Sequence, residues 1–269
     1  MADETDPLVA AVLANRKYRT VSRDLVTRVL RQERRGSSDD AALIKATRNK
    51  LHQVVCAFQD PTPRYDRWRA EMATASQSGD RDALVDRCLA IMGHHASTRE
   101  RLPIVREFFS ATIPDWANVH TIVDVGCGLN PLAIPLLGLQ PETRYYAYDV
   151  LGDLVEFLNA VFPFLGVAGR AEVCDVVHQP DDIAWPADLA LLLKVLPCLE
   201  QIEKGAGESL LRTVDADRIL VSFPVHSLGG ARKGMGRTYE SWLRDLVRPR
   251  RFSVERFAFR TELAFLLTR

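Results

Sequence analysis

The sequence lacks a long apolar run and any closely paired cysteines. No stretch of the 269 residues approaches the roughly 20 apolar residues needed to cross a membrane. The opening Met-Ala-Asp-Glu is too acidic and polar for a secretory signal. The five cysteines are odd in number and include no C-x-x-C pair, which argues against a disulfide framework or a zinc cluster. We therefore expect a cytoplasmic protein without a metal site. Separately, we expect a monomer.

The chain also lacks net charge, since 35 basic residues balance 35 acidic ones. The distribution is uneven, because residues 7–59 contain eleven basic and only four acidic residues, a local charge of +7. A second basic run lies between Arg232 and Arg251. Such asymmetry is typical of a surface that binds a polyanion, although any single arginine is more simply explained by a solvated helix face. The candidate polyanion contacts, which the resemblance described below makes RNA contacts, are Lys17, Arg48, Lys50, Arg232 and Lys233.

Apolar periodicity divides the chain into a helical part and an α/β part. Helices are predicted for two segments within 7–35 and at 41–58, 64–76, 80–93 and 102–109. From residue 119 strands and helices alternate, with strands at 120–126, 144–150, 171–176, 188–195, 218–225, 252–259 and 263–268. Helices are predicted between them at 131–138, 152–162, 199–213 and 236–247. This order predicts a helical N-terminal region, 1–110, and a Rossmann-like domain, 111–269, with a mostly parallel seven-stranded sheet.

A glycine turn follows the first predicted strand. Apolar residues bracket Asp124 and lead into Gly126-Cys-Gly128, with Asn130 at a helix N-cap and Pro131 at the first helical position. A dinucleotide motif, G-x-G-x-x-G, needs glycine where the chain has Pro131. The pattern instead resembles the D-x-G-x-G signature of class I methyltransferases that bind S-adenosylmethionine (SAM). An ordinary strand-to-helix loop is the alternative.

Three polar residues end the following strands, where ligands bind in such sheets. Asp149 has the spacing expected of a ribose-binding acid. Asp175 is expected either to accept a hydrogen bond from an adenine amino group or to cap a helix. Lys194 ends a strongly apolar strand, so it either pairs with a neighbouring acid or, as we favour, points into the cleft to meet substrate.

The end of the fourth predicted strand lacks the motifs of two other kinds of methyltransferase. Its end reads Lys-Val-Leu-Pro rather than the Asn/Asp-Pro-Pro-aromatic loop of many enzymes that methylate exocyclic amino groups. No Pro-Cys pair supplies a nucleophile for pyrimidine C5, because the order is Pro197-Cys198. A ring nitrogen such as guanine N7 already presents a lone pair. A lysine in the cleft without a carboxylate base fits methylation of that atom.

Two flanking segments have alternative interpretations. Ser97 and Glu100 have capping-box spacing before a helix, which makes Arg99 and Arg101 surface residues. Alternatively, one of these arginines binds a carboxylate such as that of SAM. The glycine-rich basic segment 222–235 fits either a loop for backbone phosphates at the cleft rim or an unstructured surface loop.

Several motifs together resemble the aminoglycoside-resistance methyltransferases that modify N7 of guanine 1405 in 16S ribosomal RNA. They are His-Ala-Ser-Thr-Arg-Glu-Arg (95–101), Cys-Gly-Leu-Asn-Pro-Leu (127–132), Leu-Leu-Leu-Lys-Val-Leu-Pro-Cys-Leu-Glu (191–200), Ser-Phe-Pro-Val-His-Ser-Leu-Gly-Gly (222–230) and Lys-Gly-Met (233–235). The resemblance covers nearly the whole chain. One departure is Ala231, which occupies the position where family members often have an arginine. Arg232 follows it.

The resemblance implies a class I SAM-dependent methyltransferase whose helical N-terminal region docks on the 30S subunit. Lys194 would lie near the target base. The residues implied to border the cofactor are Phe58, His95, Ala96, Ser97, Arg101, Gly126, Asp149, Asp175, Val176 and Leu193. The alternatives are N1 methylation of a neighbouring decoding-site adenine, a ribosome-binding factor without turnover, and a small-molecule methyltransferase, which the basic N-terminal region disfavours.

Overall fold

The computed structural model describes residues 6–34, 39–60, 62–225, 235–248 and 252–269. The α-helices are α1 (Asp6–Leu13), α2 (Arg23–Arg34), α3 (Asp40–Val54), α4 (Tyr65–Gln77), α5 (Arg81–Met92), α6 (Ala96–Arg101), α7 (Val105–Thr112), α8 (Gly152–Leu165), α9 (Leu196–Ile202), α10 (Ala206–Thr213) and α11 (Met235–Val247). The strands are β1 (Thr121–Val125), β2 (Arg144–Asp149), β3 (Ala168–Val173), β4 (Ala187–Leu193), β5 (Ala216–Pro224), β6 (Ser253–Ala258) and β7 (Glu262–Thr268). Among these described helices, none is long and apolar enough to span a membrane.

Local sequence accounts for the helices at the start of the chain. Helix α2 turns one apolar face inward, and Leu25 and Val29 on that face are buried. Helix α3 begins after Asp39, whose carboxylate accepts hydrogen bonds from the backbone N–H groups of Ala41 and Ala42. These helices follow the predicted positions closely, since amphipathic periodicity and capping are local signals.

The strands form one sheet in the order β3-β2-β1-β4-β5-β7-β6. Strands β1 to β5 pair in parallel, whereas β7 is antiparallel to both β5 and β6. This confirms the predicted parallel sheet with a closing hairpin. The chain order reverses between β1 and β4, so the two halves of the sheet diverge there and leave a crevice at the carboxyl ends of the strands.

The helical N-terminal part packs directly on the sheet. One continuous apolar cluster contains Val9 of α1, Leu25 of α2 and Leu51 of α3 together with Ile122 of β1 and Leu191 of β4. A second cluster covers the opposite face of the sheet. Burial of apolar area on both faces therefore joins the helices to the sheet. The division into units at 1–110 and 111–269 stays a prediction.

Two predicted helices differ from the structure. The segment after the glycine turn is a 3-10 helix, Asn130–Leu136, with prolines at its second and sixth positions. Proline lacks the N–H that an α-helical ladder needs. The predicted helix 199–213 is two helices, α9 and α10, which are separated by Gly205 in the left-handed conformation at φ +87°.

Arg48 of α3 also differs from its expected role as an exposed RNA contact. Its side chain is partly buried, and Nη2 donates a hydrogen bond of 2.6 Å to the carbonyl oxygen of Ala11 in the last turn of α1. A cation at this position satisfies a free carbonyl at the end of a helix. Arg48 therefore fastens α3 to α1. Lys50 on the same helix is half-buried.

Replacing Arg48 by methionine should lower stability, because the Ala11 carbonyl loses its donor. We expect Arg48→Met to reduce the free energy of unfolding by about 1–3 kcal/mol, the range for a hydrogen bond to a charged group. Lys50→Met on the same helix is the matched control and should change it by less than about 0.5 kcal/mol. Urea denaturation measures both variants. Equal losses would contradict the assigned role of Arg48.

Candidate active site

A cavity lies at the carboxyl ends of the first four strands. Its wall includes Gly126 after β1, Asp149 at the end of β2, Asp175 after β3 and Lys194 after β4. The other predicted residues that line it are Phe58, His95, Ser97, Val176 and Leu193. The structure thus brings together nearly the whole predicted cofactor set.

Ala96 and Arg101 are the exceptions within that set. Both are buried, at 4% and 1% exposure, and neither is among the residues that line the cavity. Their neighbours His95 and Ser97 face it instead. A direct contact of the Arg101 side chain with a cofactor carboxylate is therefore not supported, and its carboxylate partner is Glu262.

The glycine turn contains two left-handed residues, of which Gly126 lines the cavity. Gly126 has φ +62°, and a Cβ atom there would lie 2.6 Å from Cγ2 of Val195. Gly128 has φ +52°, and a Cβ atom there would lie 2.8 Å from Cε1 of His95. Both the backbone conformation and the space exclude a side chain at these two positions. Glycine at these positions therefore lets Val195 and His95 pack directly against the backbone of the turn.

Asp149 is tied to this turn. Its Oδ2 accepts a hydrogen bond of 2.9 Å from the backbone N–H of Gly128, while Oδ1 accepts from the N–H groups of Val150 and Leu151. Burial raises the pKa of Asp149, although these three backbone donors act in the opposite direction. A carboxylate has about four lone-pair sites, so three bonds leave Asp149 able to accept one more from a ligand.

Asp175 makes an ion pair that neither of its predicted roles anticipated. Nε of Arg28 donates to Oδ2 at 2.9 Å, and Nη2 donates to Oδ1 and Oδ2 at 2.9 and 2.8 Å. Arg28 belongs to α2, in the helical part of the chain. Asp175 caps no α-helix, although its backbone carbonyl accepts from the N–H groups of His178 and Gln179.

Lys194 lines the cavity and is also paired with acids. Its Nζ lies 2.9 Å from Oε2 of Glu100 and 3.3 Å from Oε2 of Glu262, and it donates to the carbonyl of Ser97 at 3.1 Å. Both alternatives considered for Lys194 therefore hold together, since it lines the cavity and pairs with neighbouring acids. Lys194 has φ +62°, a conformation rarely adopted by residues with a side chain and often retained at functional sites.

Glu262 is the centre of a buried polar cluster that sequence reasoning missed. It lies on β7 with no exposed surface and accepts hydrogen bonds from Nε and Nη2 of Arg101 as well as contacting Lys194. Burial raises the pKa of Glu262, but the two cations outweigh it and hold the pKa below its ordinary value. Glu262 is followed in β7 by mainly apolar residues, and no nearby residue in the sequence indicates its partners Arg101 and Lys194. Its role could therefore not be predicted from local sequence.

The cluster continues to the strand before the glycine turn. Nη1 of Arg101 donates to Oδ1 of Asn130, whose Nδ2 donates to Oδ2 of Asp124 at 2.8 Å. Tyr145 donates to the same oxygen at 2.6 Å. Asn130 is therefore not the N-cap that was predicted, because Leu129 precedes the 3-10 helix and the Asn130 side chain bridges Arg101 and Asp124. Burial raises the pKa of Asp124 to about 6.

His95 lies between the glycine turn and the helical part. Its ring stacks on Phe58 at a centroid distance of 6.2 Å, and Nδ1 shares a hydrogen bond of 2.9 Å with Oγ of Ser97. Burial, together with the charges of Lys194 and nearby arginines, lowers the pKa of His95 to about 4. The predicted capping box is wrong, since Ser97 bonds His95 and Glu100 bonds Lys194.

The predicted RNA contacts have different outcomes. Lys17 lines a surface groove with five basic and three acidic side chains, the acids being Asp60, Asp66 and Asp153. The basic residues of this groove are Arg16, Lys17, Arg19, Arg64 and Arg67. Arg232 and Lys233 lie outside the described residues. In the part of the chain that the structure describes, no group of three or more His, Cys, Asp or Glu residues is placed to hold a metal.

The sheet order, the glycine turn and the acids that end successive strands define a class I SAM-dependent methyltransferase fold. More particularly, the chain belongs to the family described as ribosomal RNA methyltransferase (FmrO), whose model matches residues 14–266.

Similar proteins support this assignment over nearly the full length. A 16S rRNA (guanine(1405)-N(7))-methyltransferase of Micromonospora rosea is 36% identical, covering 98% of this chain and 97% of that protein. The protein of the same description from Serratia marcescens is 32% identical, with 96% of each covered. The crystal structure of the 16S rRNA methyltransferase RmtF with S-adenosyl-L-homocysteine has a TM-score of 0.84 and 31% identity, covering 100% of this chain and 99% of that one. The 16S rRNA methylase RmtB has a TM-score of 0.77 at 26% identity, covering 99% of this chain and 98% of that one.

Replacing Glu262 by glutamine should strongly destabilise the fold. The change leaves Arg101 and Lys194 buried without their shared anion, and breaking a buried ion pair in this way costs about 3–5 kcal/mol. Glu255→Gln on the neighbouring strand β6 is the matched control, because Glu255 is exposed. Chemical denaturation of both variants checks this expectation. A Glu262→Gln protein as stable as the Glu255→Gln protein would refute it.

Asp124 and His95 should make opposite contributions to the pH dependence of stability. The raised pKa of Asp124 means that the folded state gains stability as the pH falls from about 6 toward 3.8, by roughly 3 kcal/mol at most. The lowered pKa of His95 means that the folded state loses stability as the pH falls from 6.5 toward about 4.

Single variants should separate the two contributions. Between about pH 7 and about pH 4.5, Asp124→Asn should lose stability more steeply than the unmodified protein, and His95→Gln less steeply. Urea denaturation at both pH values measures the difference. Identical slopes in all three proteins would show that neither group titrates as described.

Proposed function

We propose that this protein transfers a methyl group from SAM to N7 of guanine 1405 of 16S ribosomal RNA within the 30S subunit, which gives resistance to aminoglycosides. The observation that carries the proposal is the cavity at the strand ends, in which the predicted cofactor residues converge. Membership of the rRNA methyltransferase family supports the RNA substrate, and the relatives described as guanine 1405 N7-methyltransferases support the target atom.

The cavity residues suit the chemistry of an adenosine-based methyl donor. SAM supplies, when bound, an electrophilic methyl group on a sulfonium. Asp149 has a lone pair left to accept from a ribose hydroxyl, because its three existing bonds all come from backbone N–H groups. Val176 and Leu193 provide apolar surface for a base. Gly126 adds backbone without a side chain to the same cavity wall.

Lys194 and its partners suit a substrate that needs no strong base. Guanine N7 presents its lone pair at neutral pH, so alignment and exclusion of water are the main tasks of the protein. Nζ of Lys194 is held by Glu100 and Glu262, at 2.9 and 3.3 Å. The Lys194 ammonium, fixed in this way at the cavity wall, is the group proposed to position the target guanine.

The basic groove gives the helical part of the chain a role in docking. Arg16, Lys17, Arg19 and Arg64 all line it. Basic side chains gathered in one groove are suited to the phosphates of a folded RNA, and contacts of this kind position an enzyme without reading sequence. We place the 30S contact of the N-terminal region at this groove rather than at Arg48.

Methyl transfer to the ribosomal subunit tests the function directly. Purified protein is incubated with tritiated SAM and either intact 30S subunits or naked 16S RNA, and the labelled base is mapped. The expected result is label on N7 of guanine 1405 in 30S subunits. Label on a neighbouring adenine N1 would overturn the target, while binding of SAM without transfer to either substrate would overturn the reaction in favour of a binding factor or a small-molecule enzyme.

Variants assign the two roles separately. Asp149→Ala should weaken SAM binding by at least about tenfold, since a ribose hydroxyl loses an ionised acceptor. Lys17→Glu with Arg19→Glu should weaken 30S binding and flatten its salt dependence while leaving SAM affinity unchanged. Calorimetry with SAM and filter binding with 30S subunits measure the two affinities. Unchanged SAM affinity of Asp149→Ala would remove the ribose assignment.

A further inference from the structure

The adenine end of the cavity is built jointly by the sheet and by helix α2. Asp175, which follows β3, is only 3% exposed and lines the cavity. The Arg28 side chain reaches it from α2 and is itself only 10% exposed. Leu25 lies one turn earlier on the same face of α2 and lines the cavity as well. One helix of the N-terminal part therefore supplies both an apolar wall and the partner of the strand-end acid.

The geometry of the ion pair leaves Asp175 able to bind a further donor. Arg28 makes three contacts, two to Oδ2 and one to Oδ1, all within 2.8–2.9 Å. A carboxylate offers about four lone-pair sites, so Oδ1 retains one that Arg28 does not use. The bonds from Nε to Oδ2 and from Nη2 to Oδ1 hold the carboxylate in a single orientation relative to the planar guanidinium. A lysine ammonium does not fix the orientation in this way.

Other polar contacts hold α2 over this end of the sheet. Nη1 of Arg28 lies 3.6 Å from Oε2 of Glu203, which also accepts from Gln32 of α2 at 3.3 Å. On the other side, Gln179 donates to Asp24 at 3.3 Å. These contacts come from two separate loops, one after β3 and one after α9. They fix the position of α2, and with it the position from which the Arg28 guanidinium binds the Asp175 carboxylate.

We infer that Arg28 is a positioning residue for recognition of the cofactor's adenine amino group, which makes helix α2 a part of the cofactor site. Arg28 orients the Asp175 carboxylate so that its free Oδ1 lone pair accepts from that amino group. The inference rests on the proposed SAM-dependent function, because it assigns the adenine to the Asp175 end of the cavity. It also gives the N-terminal region a second task besides docking on RNA.

The test compares two ligands that differ at the amino group. S-adenosyl-L-homocysteine carries the amino group, whereas S-inosyl-L-homocysteine carries a carbonyl oxygen there, which cannot donate. Calorimetry gives the affinity ratio of the two for the unmodified protein and for Arg28→Met, Arg28→Lys and Asp175→Asn. Arg34→Met is the matched control, because Arg34 lies on the same helix with a 40% exposed side chain and a long contact of 3.8 Å to Asp40.

We expect the unmodified protein and Arg34→Met to prefer the adenosyl ligand by about tenfold or more, the effect of a hydrogen bond to a charged acceptor. Arg28→Met should reduce the ratio to below about threefold, and Arg28→Lys to an intermediate value, since a lysine keeps the charge without the fork. Adding Arg28→Met to Asp175→Asn should not lower the affinity ratio further, because both changes remove the same hydrogen bond to the amino group.

An unchanged ratio in folded Arg28→Met protein would overturn the inference, even if both ligands bound more weakly, because that pattern indicates a purely structural ion pair. If Arg28→Met does not fold, an unchanged ratio in Arg28→Lys has the same meaning. An unmodified protein without preference would also overturn it. Failure of the proposed function is distinguishable, since a protein that discriminates the two ligands but methylates no RNA retains this inference and loses the reaction.

Discussion

The active site depends on one buried acid at the far end of the chain. Glu262 on β7 neutralises Arg101, which belongs to the helical part, and Lys194, which ends β4. All three lie in a region where an unpaired charge has a large desolvation cost. The cluster therefore joins the last strand, the central sheet and the segment after α5. It also holds Lys194 at the cavity wall in a left-handed conformation that an unsupported chain would avoid.

The helical N-terminal part packs on the sheet and also contributes residues to the lining of the cavity. Phe58, His95 and Ser97 line the cavity from segments that precede the first strand, and Leu25 does so from α2. The same helices share a continuous apolar core with the sheet. Cys56 lines the basic groove, and Phe58 of the same 3-10 turn lines the cavity. One short segment of the helical part therefore contributes to both surfaces.

Predictions from local pattern were accurate where the determinant is local. The strands, most helices, the glycine turn and the acids Asp149 and Asp175 follow from periodicity and spacing, and the structure places these acids on one cavity. Predictions of side-chain partners were less accurate. Asn130 bridges Arg101 and Asp124 instead of capping a helix, and Glu100 binds Lys194 instead of completing a capping box. In each case a distant charge competes successfully with the local hydrogen bond.

The sequence by itself determined the class of fold, the position of the cofactor motif and the family resemblance, because these are carried by residues adjacent in the chain. Only the tertiary structure decided the ion pairs of the site. Arg28 and Asp175 are separated by 147 residues, and Arg101 and Glu262 by 161. Neither pair leaves a local trace, since a buried charge is stabilised by whichever opposite charge the packing of helices on the sheet brings within hydrogen-bond distance.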